Sequence, residues 1–335
     1  MRRARSRGLI LRPRLALILA VSILAACGDH GGSSPLPPVP SKLFVADSGN
    51  HAIASFINSN PSGPGAVPAN RLITGADTGF ATSNISAMTL DAGRDLLYVS
   101  NGTQVIAFAG ANAANGDVRP AGTPATASVG NFSSLYIDTA NDRLYVGETL
   151  GGGVSAYDNA STLNLAAPNR TLIPNFGTGF QVRGVAVDVV NDTLYVAGTT
   201  STSTSILAFN GAAAISGVQP PNRAIALPLS SDISILLDAA NDRLYVSDSG
   251  GNISVLDNAG TQDVTAVVAR AFSLGSALMP KLALDPVNDR LYVAAHSSLI
   301  IVPGINAAPG GPLPAGTYQL VAPTAGDVTA VAVTP

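Results

Sequence analysis

Residues 284–294 read LDPVNDRLYVA, and the last four letters of this stretch return at nearly constant spacing through the chain. The related segments are LFVADS, LYVSNG, LYVGET, LYVAGT, LYVSDS and LYVAAH, which begin at Leu43, Leu97, Leu144, Leu194, Leu244 and Leu291. The intervals between them are 54, 47, 50, 50 and 47 residues. A period near fifty residues, built from short β-rich runs between turn residues, is typical of a four-stranded propeller blade.

The strands of each repeat follow in the same order. An apolar strand that ends in aspartate precedes five of the LYV segments, at Asp91, Asp138, Asp188, Asp238 and Asp285. A turn rich in Asn and Asp joins the two strands, and these residues tolerate left-handed backbone and bond turn amides. Recurrence in every blade therefore predicts that the aspartates stabilise turns. The single aromatic residue of each LYV segment is likewise expected to pack between blades.

The two ends of the chain complete one blade. The segment at Leu43 has no apolar strand before it, whereas residues 328–334, VTAVAVT, match the pattern of residues 182–188, VRGVAVD. Placing this last strand in the first blade closes the ring and removes open sheet edges. The sequence thus predicts an all-β fold, a six-bladed β-propeller of four-stranded antiparallel blades spanning residues 42–335.

The amino terminus has the pattern of an export signal. Residues 1–14 are rich in Arg, and residues 15–26, LALILAVSILAA, form an apolar run that is too short to span a bilayer comfortably. The run ends in LAAC, which resembles the lipobox of bacterial lipoproteins. The resemblance implies that residues 1–26 are removed and that Cys27 receives a lipid. Cys27 is the one cysteine of the chain, so the sequence offers no disulfide framework.

The segment after the cleavage point predicts a tether. Residues 27–41 continue from Cys27 as GDHGGSSPLPPVPS, without apolar periodicity and rich in Gly, Ser and Pro. Because Gly28 follows the cysteine where an aspartate would signal retention, the resemblance to Gram-negative lipoproteins implies attachment to the outer membrane. We therefore expect a chain in the cell envelope, held to the membrane by its lipid.

Charge argues against one class of partner. Removing the six arginines of the signal leaves 12 basic residues against 21 acidic ones, a net charge of −9. Lys42 and Lys281 are the two lysines. Without a basic stripe to neutralise phosphates, nucleic acid is not an expected partner. We expect a monomer that binds a protein, a peptide or a carbohydrate.

Two stretches carry a family resemblance. LFVADSGNHAI from Leu43 resembles the NHL repeat, and LDPVNDRLYVA from Leu284 resembles both YVTN-type and LDL-receptor YWTD-type propeller repeats. The resemblance covers residues 42–335 and implies the propeller fold. These families contain scaffolds, peptide and sugar binders, lactonases and a lyase, so the fold does not select a function. Their enzymes hold a metal at the centre of one face, but no ligand set transfers to this chain residue by residue.

Loop residues suggest a cation site as one interpretation. The second position after each LYV segment carries Asp47, Asn101, Glu148, Gly198, Asp248 and Ala295 in successive blades. Oxygen donors occupy four of these six positions and could ring a hard cation such as Ca²⁺. The alternative is that Asp47, Asn101 and Asp248 close their own loops through side-chain bonds to the backbone. Glu148, the single glutamate, fits that alternative less well.

Histidines and cations mark further candidates. His51 and His296 follow the LYV segments of the first and last repeats, which become neighbours on closure and could bind Zn²⁺ with Asp47; the alternative is simple exposure. Arg183 and Lys281 are charged exceptions on otherwise small or apolar innermost strands, so they are expected near the channel. Alternatively, each extends to the rim without a function.

Two functional hypotheses follow from these patterns. The first is a non-catalytic binding or scaffolding module of the cell envelope, because every recurrent polar residue has a structural use. The alternative is a metal-dependent lactonase or lyase-like hydrolase, suggested by the family resemblance. No cofactor is required by the first hypothesis, whereas Ca²⁺ or Zn²⁺ would belong to the second.

Overall fold

Six sheets stand around a central channel in the computed structural model of the chain. The structure describes residues 42–57, 68–126, 131–163, 167–227, 232–274, 281–295, 298–312, 318–320 and 327–334. The predicted signal, Cys27 and the tether lie outside the described residues. Among those described, no helix is long and apolar enough to cross a membrane. The helices that the described residues form are short 3₁₀ turns, at Ala76–Thr78, Ala160–Thr162 and Ala239–Asn241.

The strands of each blade run antiparallel from the channel outward. Blades 1 and 2 contain Val328–Val333, Lys42–Asp47, Ala52–Ile57 and Arg71–Thr74, then Ala87–Asp91, Leu96–Ser100, Gln104–Ala109 and Gly122–Thr126. Blades 3 and 4 contain Phe132–Asp138, Arg143–Glu148, Val154–Asp158 and Arg170–Pro174, then Gln181–Asp188, Thr193–Thr199, Thr204–Asn210 and Arg223–Leu227. Blades 5 and 6 contain Ile233–Asp238, Arg243–Asp248, Asn252–Asp257 and Arg270–Ser273, then Lys281–Asp285, Arg290–Ala295, Ser298–Pro303 and Tyr318–Leu320.

The ring closes through the carboxy-terminal strand, as predicted. Val328–Val333 pairs antiparallel with Lys42–Asp47, and Val331 lies opposite Val45. Beyond the strand, the amide of Thr334 donates to the carbonyl of Lys42 at 2.8 Å. Each innermost strand also contacts the innermost strands of both neighbouring blades. The prediction of a closed six-bladed propeller is therefore confirmed.

The core lies between the blades. Six clusters of buried apolar side chains fill the six junctions, and each cluster contains one aromatic residue of the LYV segments. These aromatic residues are at most 2% exposed, namely Phe44, Tyr98, Tyr145, Tyr195, Tyr245 and Tyr292. These six residues pack between blades and are not accessible to a ligand.

Aspartates hold the turns between the first and second strands. Asp188 accepts hydrogen bonds from the amides of Val190 and Asn191 and from the Asn191 side chain, at 3.0, 2.9 and 2.7 Å. Asp91, Asp138, Asp238 and Asp285 bond their own turns in the same manner. The strand-ending aspartates are thus structural.

The outer edges differ from the prediction of four strands per blade. In blades 3, 4 and 5, a short segment of the next blade adds a fifth strand in parallel, at Gly217–Gln219, Val264–Thr265 and Gly311–Pro312. In blade 5 the arginine that begins the fourth strand holds the chain before this segment in place, because Arg270 donates to the carbonyls of Ile305, Asn306 and Ala308. The added strand covers an edge that would otherwise be free to pair with another chain.

Candidate functional site

A cavity opens at the end of the channel where the innermost strands begin. We call it the channel mouth; its volume is about 740 Å³, against about 220 Å³ for the channel below it. Strand beginnings supply Phe132, Arg183 and Lys281, while Thr149 and Ser249 come from loops between second and third strands. The turns held by aspartate lie at the opposite end of these strands. The mouth therefore lies on the face where propeller loops converge.

Three β-bulges shape the channel mouth. In blades 3, 4 and 1, the register of the innermost strand shifts so that Ser133, Arg183 and Thr329 have no partner across the ladder. All three residues line the mouth. A bulge inserts one residue, turns its side chain away from the regular alternation and is frequent beside functional sites. The bulges thus direct three side chains of otherwise apolar strands toward the cavity.

Hydroxyl groups at the mouth join neighbouring blades. Thr329 donates to the carbonyl of Ile85 at 2.6 Å, and Ser86 donates to the carbonyl of Phe132 at 2.8 Å. Ser133 donates in turn to the carbonyl of Val182 at 2.9 Å. Because a hydroxyl group has a single hydrogen, a group that donates to one of these carbonyls has no hydrogen left to donate to a ligand.

Lys281 occupies a position that small residues fill elsewhere. It lies opposite Ala294, the residue directly after the LYV segment of its blade. The corresponding residues of the other blades, paired in the same register, are Ala330, Ala87, Ser134, Gly184 and Ser234. Lys281 lines both the channel and the mouth. Burial lowers the pKa of Lys281 to about 8, with nearby Asp232 opposing the shift and Arg183 adding to it.

Arg183 is neutralised at the mouth. Its Nε atom lies 3.1 Å from Oδ1 of Asp232, and its Nη2 atom donates to Gln181 at 2.7 Å. Both partners of the ion pair are about one quarter exposed. Arg183 therefore reaches the cavity with its charge already compensated by blade 5, which distinguishes it from Lys281.

The residues of the predicted cation ring bond mainly within their own loops. Both carboxylate oxygens of Asp47 accept hydrogen bonds from Asn50, at 3.1 and 2.7 Å. Asp248 accepts from the amide of Asn252 at 2.9 Å. The side-chain oxygen of Asn101 accepts from the amide of Gln104 at 2.8 Å, and its nitrogen donates to the carbonyl of Gly79. These contacts are those of the loop-closing alternative.

The remaining metal candidates make contacts of their own. Glu148 accepts a hydrogen bond from Ser155 at 3.0 Å, and burial raises the pKa of its carboxyl group. His51, at a φ of 48°, has its ring Nδ1 3.2 Å from the carbonyl oxygen of Ser83. His296 lies outside the described residues. Within the described ranges, no three His, Cys, Asp or Glu side chains converge as a metal would require.

Sequence reasoning did not single out Ser133, Thr329, Asp232 or Asp327. A signal was available for two of them, because Ser133 and Thr329 align with Arg183 when the first strands are superposed on their shared pattern. Asp232 and Asp327 stand just before innermost strands, where the repeat carries no recurrent letter. Both are found only once the ring brings the strand beginnings together.

Comparisons with known proteins support the fold. No family model matches the chain, and no curated protein sequence is similar to it. Among solved structures, a chain of a nidogen/laminin complex matches 88% of this chain and 98% of its own length, with a TM-score of 0.61 and 13% identity. The WD40 β-propeller domain of Doa1 gives a TM-score of 0.54 at 12% identity, over 85% of this chain and 81% of that one.

A third similar structure is hydrazine synthase of Kuenenia stuttgartiensis, with a TM-score of 0.52 and 12% identity over 78% of this chain and 72% of that one. At such identities the likeness shows the propeller architecture alone. The chain is therefore similar in fold to propellers of different functions, and the six blades are what these comparisons support.

Proposed function

We propose that this chain is a β-propeller lipoprotein of the cell envelope that binds a partner at the channel mouth without transforming it. The observation that carries the proposal is the mouth itself, a cavity of about 740 Å³ lined by Lys281, whose strand position carries a small residue in the other five blades. Propeller ligands enter at the face where loops converge, and concave sites of this size suit small molecules or peptide side chains. Recurrent polar residues elsewhere serve turns and loops.

The hydrolase alternative has less support. Its candidate ligands Asp47, Asn101 and Asp248 already bond loop groups, so binding a metal there would disrupt the loops. Glu148 bonds Ser155 on a neighbouring strand of its own blade. We therefore favour binding over metal-dependent hydrolysis.

Filling the mouth should abolish binding. In Thr149→Trp an indole replaces a side chain that lines the cavity, whereas Leu150→Trp, one residue along, changes a side chain that is 55% exposed. The test measures binding of residues 28–335 to a fixed panel of envelope peptides and cell-wall oligosaccharides. We expect at least one binder, with affinity reduced tenfold or more by Thr149→Trp and unchanged by Leu150→Trp. The proposal would be contradicted if Thr149→Trp left the affinity for the binders unchanged, or if the protein converted any panel compound.

Anchoring is tested by labelling. The proposed lipid is carried by Cys27, the single thiol of the chain. Bacteria fed labelled palmitate should incorporate label into the wild-type protein and not into Cys27→Ser, and the wild type should sediment with outer membranes. A Cys27→Ser protein that still carries lipid would rule out this mode of anchoring.

A further inference from the structure

We propose that the channel mouth binds a small organic carboxylate with an apolar body, whose anionic group docks on the ammonium group of Lys281. The inference deepens the proposed function and rests on it, because it names the ligand class of the same cavity. Nothing in the repeat pattern requires a lysine at this position, since five equivalent positions carry Gly, Ala or Ser.

The ammonium group of Lys281 has spare hydrogen-bonding capacity. An ammonium group has three donors. Among the described residues, its hydrogen bond is to the carbonyl of Ser133, at 3.5 Å, the long limit for such a contact. Among the described residues, no carboxylate forms an ion pair with Lys281; Asp232 acts on it only from a longer distance and is itself paired with Arg183. Two donors of a charged group therefore face a cavity without a protein partner of opposite charge in contact.

Lys281 is the cation of the mouth that an added anion can reach. Arg183 and Asp232 form an ion pair, and Asp327, which also lines the mouth, has an interaction of its own and is not among the charges that shift the pKa of Lys281. Among the described residues, Lys281 is thus the cation of the mouth that forms no direct ion pair. A carboxylate that accepts from its ammonium would form a charge-assisted hydrogen bond in a partly desolvated site, where such bonds are strongest.

The walls of the mouth combine apolar and polar residues. The apolar ones have side chains that are at most 4% exposed and pack mainly between blades, namely Ile85, Phe132, Ile233 and Val328, and the polar ones include Asn84, Asn131, Thr149 and Ser249. The hydroxyl groups of Ser86, Ser133 and Thr329 donate to backbone carbonyls and so have no hydrogen left to donate to a sugar. A hydrocarbon or aromatic body would gain because its own apolar surface leaves water inside the cavity. A single cation without an ion pair fits a monocarboxylate better than an uncharged carbohydrate.

The binding should depend on pH in a defined direction. Because burial lowers the pKa of Lys281 to about 8, the ammonium form predominates at pH 7 and is lost above pH 8. A bound carboxylate favours the charged form and so raises this pKa. Affinity for the carboxylate should then fall about tenfold for each pH unit above the pKa of the free protein.

The presence of two lysines makes the test direct. Protein labelled with ¹³C,¹⁵N-lysine gives side-chain signals for Lys281 and Lys42, and Lys42 on the second strand of blade 1 serves as the internal control. The probes are benzoate and hexanoate, with benzamide as the uncharged control. We expect benzoate to move the Lys281 signal saturably and to raise its titration midpoint, while Lys42 does not move and benzamide has no effect.

Variants test the role of the charge. Lys281→Met should lose tenfold or more in benzoate affinity, whereas Lys281→Arg should retain most of it. Lys281→Met is expected to fold, because the lowered pKa means that the charged amine disfavours the folded state at neutral pH. Below pH 8, Lys281 is protonated in both the folded and the unfolded chain, so the full cost of burying its charge lowers the stability of the folded state. This cost decreases as the pH rises above 8, and it vanishes above the higher lysine pKa of the unfolded chain. The variant should therefore melt above the parent at pH 7, and the gap should close in strong base.

Two outcomes separate the inference from the proposed function. If neither carboxylate moves the Lys281 signal while Thr149→Trp still abolishes binding of a panel ligand, the carboxylate inference is wrong and the mouth remains a binding site. If benzoate binds at Lys281 while Thr149→Trp leaves the affinity for panel ligands unchanged, the ligand class is supported and the proposed partner site is wrong. Equal responses of Lys281 and Lys42 to benzoate would also overturn the inference.

Discussion

Deletion of residues 328–335 should unfold the whole propeller. The strand Val328–Val333 is the innermost strand of blade 1, and Val328, Ala330, Val331 and Ala332 are at most 5% exposed. Burying two valines and two alanines contributes on the order of 5 kcal/mol. Native domains are stable by only about 5–15 kcal/mol in total. Removing this strand therefore takes away stability comparable to that of the domain.

The loss extends beyond the deleted residues. The strand contributes to the clusters at both junctions of blade 1, so its removal opens the core around Phe44 on one side and Tyr292 on the other. It also leaves the inner edge of Lys42–Asp47 unpaired, an edge on which other chains can add. We expect the truncated protein to aggregate on expression or to melt at least 15 °C below the parent.

The control and the rescue make this result specific. Residues 28–335 are compared by thermal and urea unfolding with chains that lack residues 28–41 or residues 328–335. Removing the predicted tether should leave the melting temperature unchanged. A synthetic peptide of residues 326–335 should restore part of the lost stability by pairing with the open edge, because added strands gain affinity from main-chain hydrogen bonds. Equal melting temperatures for the two deletions would show that closure contributes little to stability.

The repeated features of this fold could be predicted from sequence because each recurs in at least five of the six blades. The periodic signals are the strand-ending aspartates, the LYV aromatics and the match between residues 328–334 and 182–188. In a ring of equivalent blades, residues that recur with the repeat occupy equivalent positions, so their locations can be predicted. The closing strand could be placed by the same reasoning, since one blade lacked a first strand and one strand lacked a blade. The structure confirms this arrangement.

The channel mouth depends on departures from the repeat, which sequence reveals only in part. Lys281 was detectable because a charge interrupts a small-residue pattern. The bulges at Ser133 and Thr329 could not be detected from sequence. In a bulge, two residues of one strand lie opposite one residue of its partner, so the pairing of both strands must be known. The ion pair of Arg183 with Asp232 joins two blades, so no pattern within one repeat contains it.

Gly198 is the second residue after the LYV letters of blade 4, at the position where other blades carry Asp47, Asn101 or Glu148. A Cβ atom at Gly198 would lie 2.4 Å from the carbonyl oxygen of Gln181 and 2.4 Å from the ring of Phe180. The carbonyl belongs to the paired innermost strand and Phe180 is buried in the junction between blades 3 and 4, so neither can retreat easily. No side chain can therefore complete a ring of donors at this position without displacing the strand that carries the Arg183 bulge.

Gly198→Ala is accordingly expected to destabilise the protein by about 3 kcal/mol, the upper part of the range for overpacking a well-filled core. The matched control is Gly93→Ala, at an exposed turn where the nearest atom to a new Cβ is Oδ1 of Asp91 at 3.5 Å; it should change stability by less than about 0.5 kcal/mol. Urea unfolding at neutral pH measures both. Because the strain falls on the strand that begins at the mouth, Gly198→Ala should also weaken benzoate binding at Lys281, whereas Gly93→Ala, on the opposite face, should not. A Gly198→Ala protein as stable as the parent would mean that the blade 4 hairpin yields, and a donor ring with a side chain in every blade would then become structurally feasible.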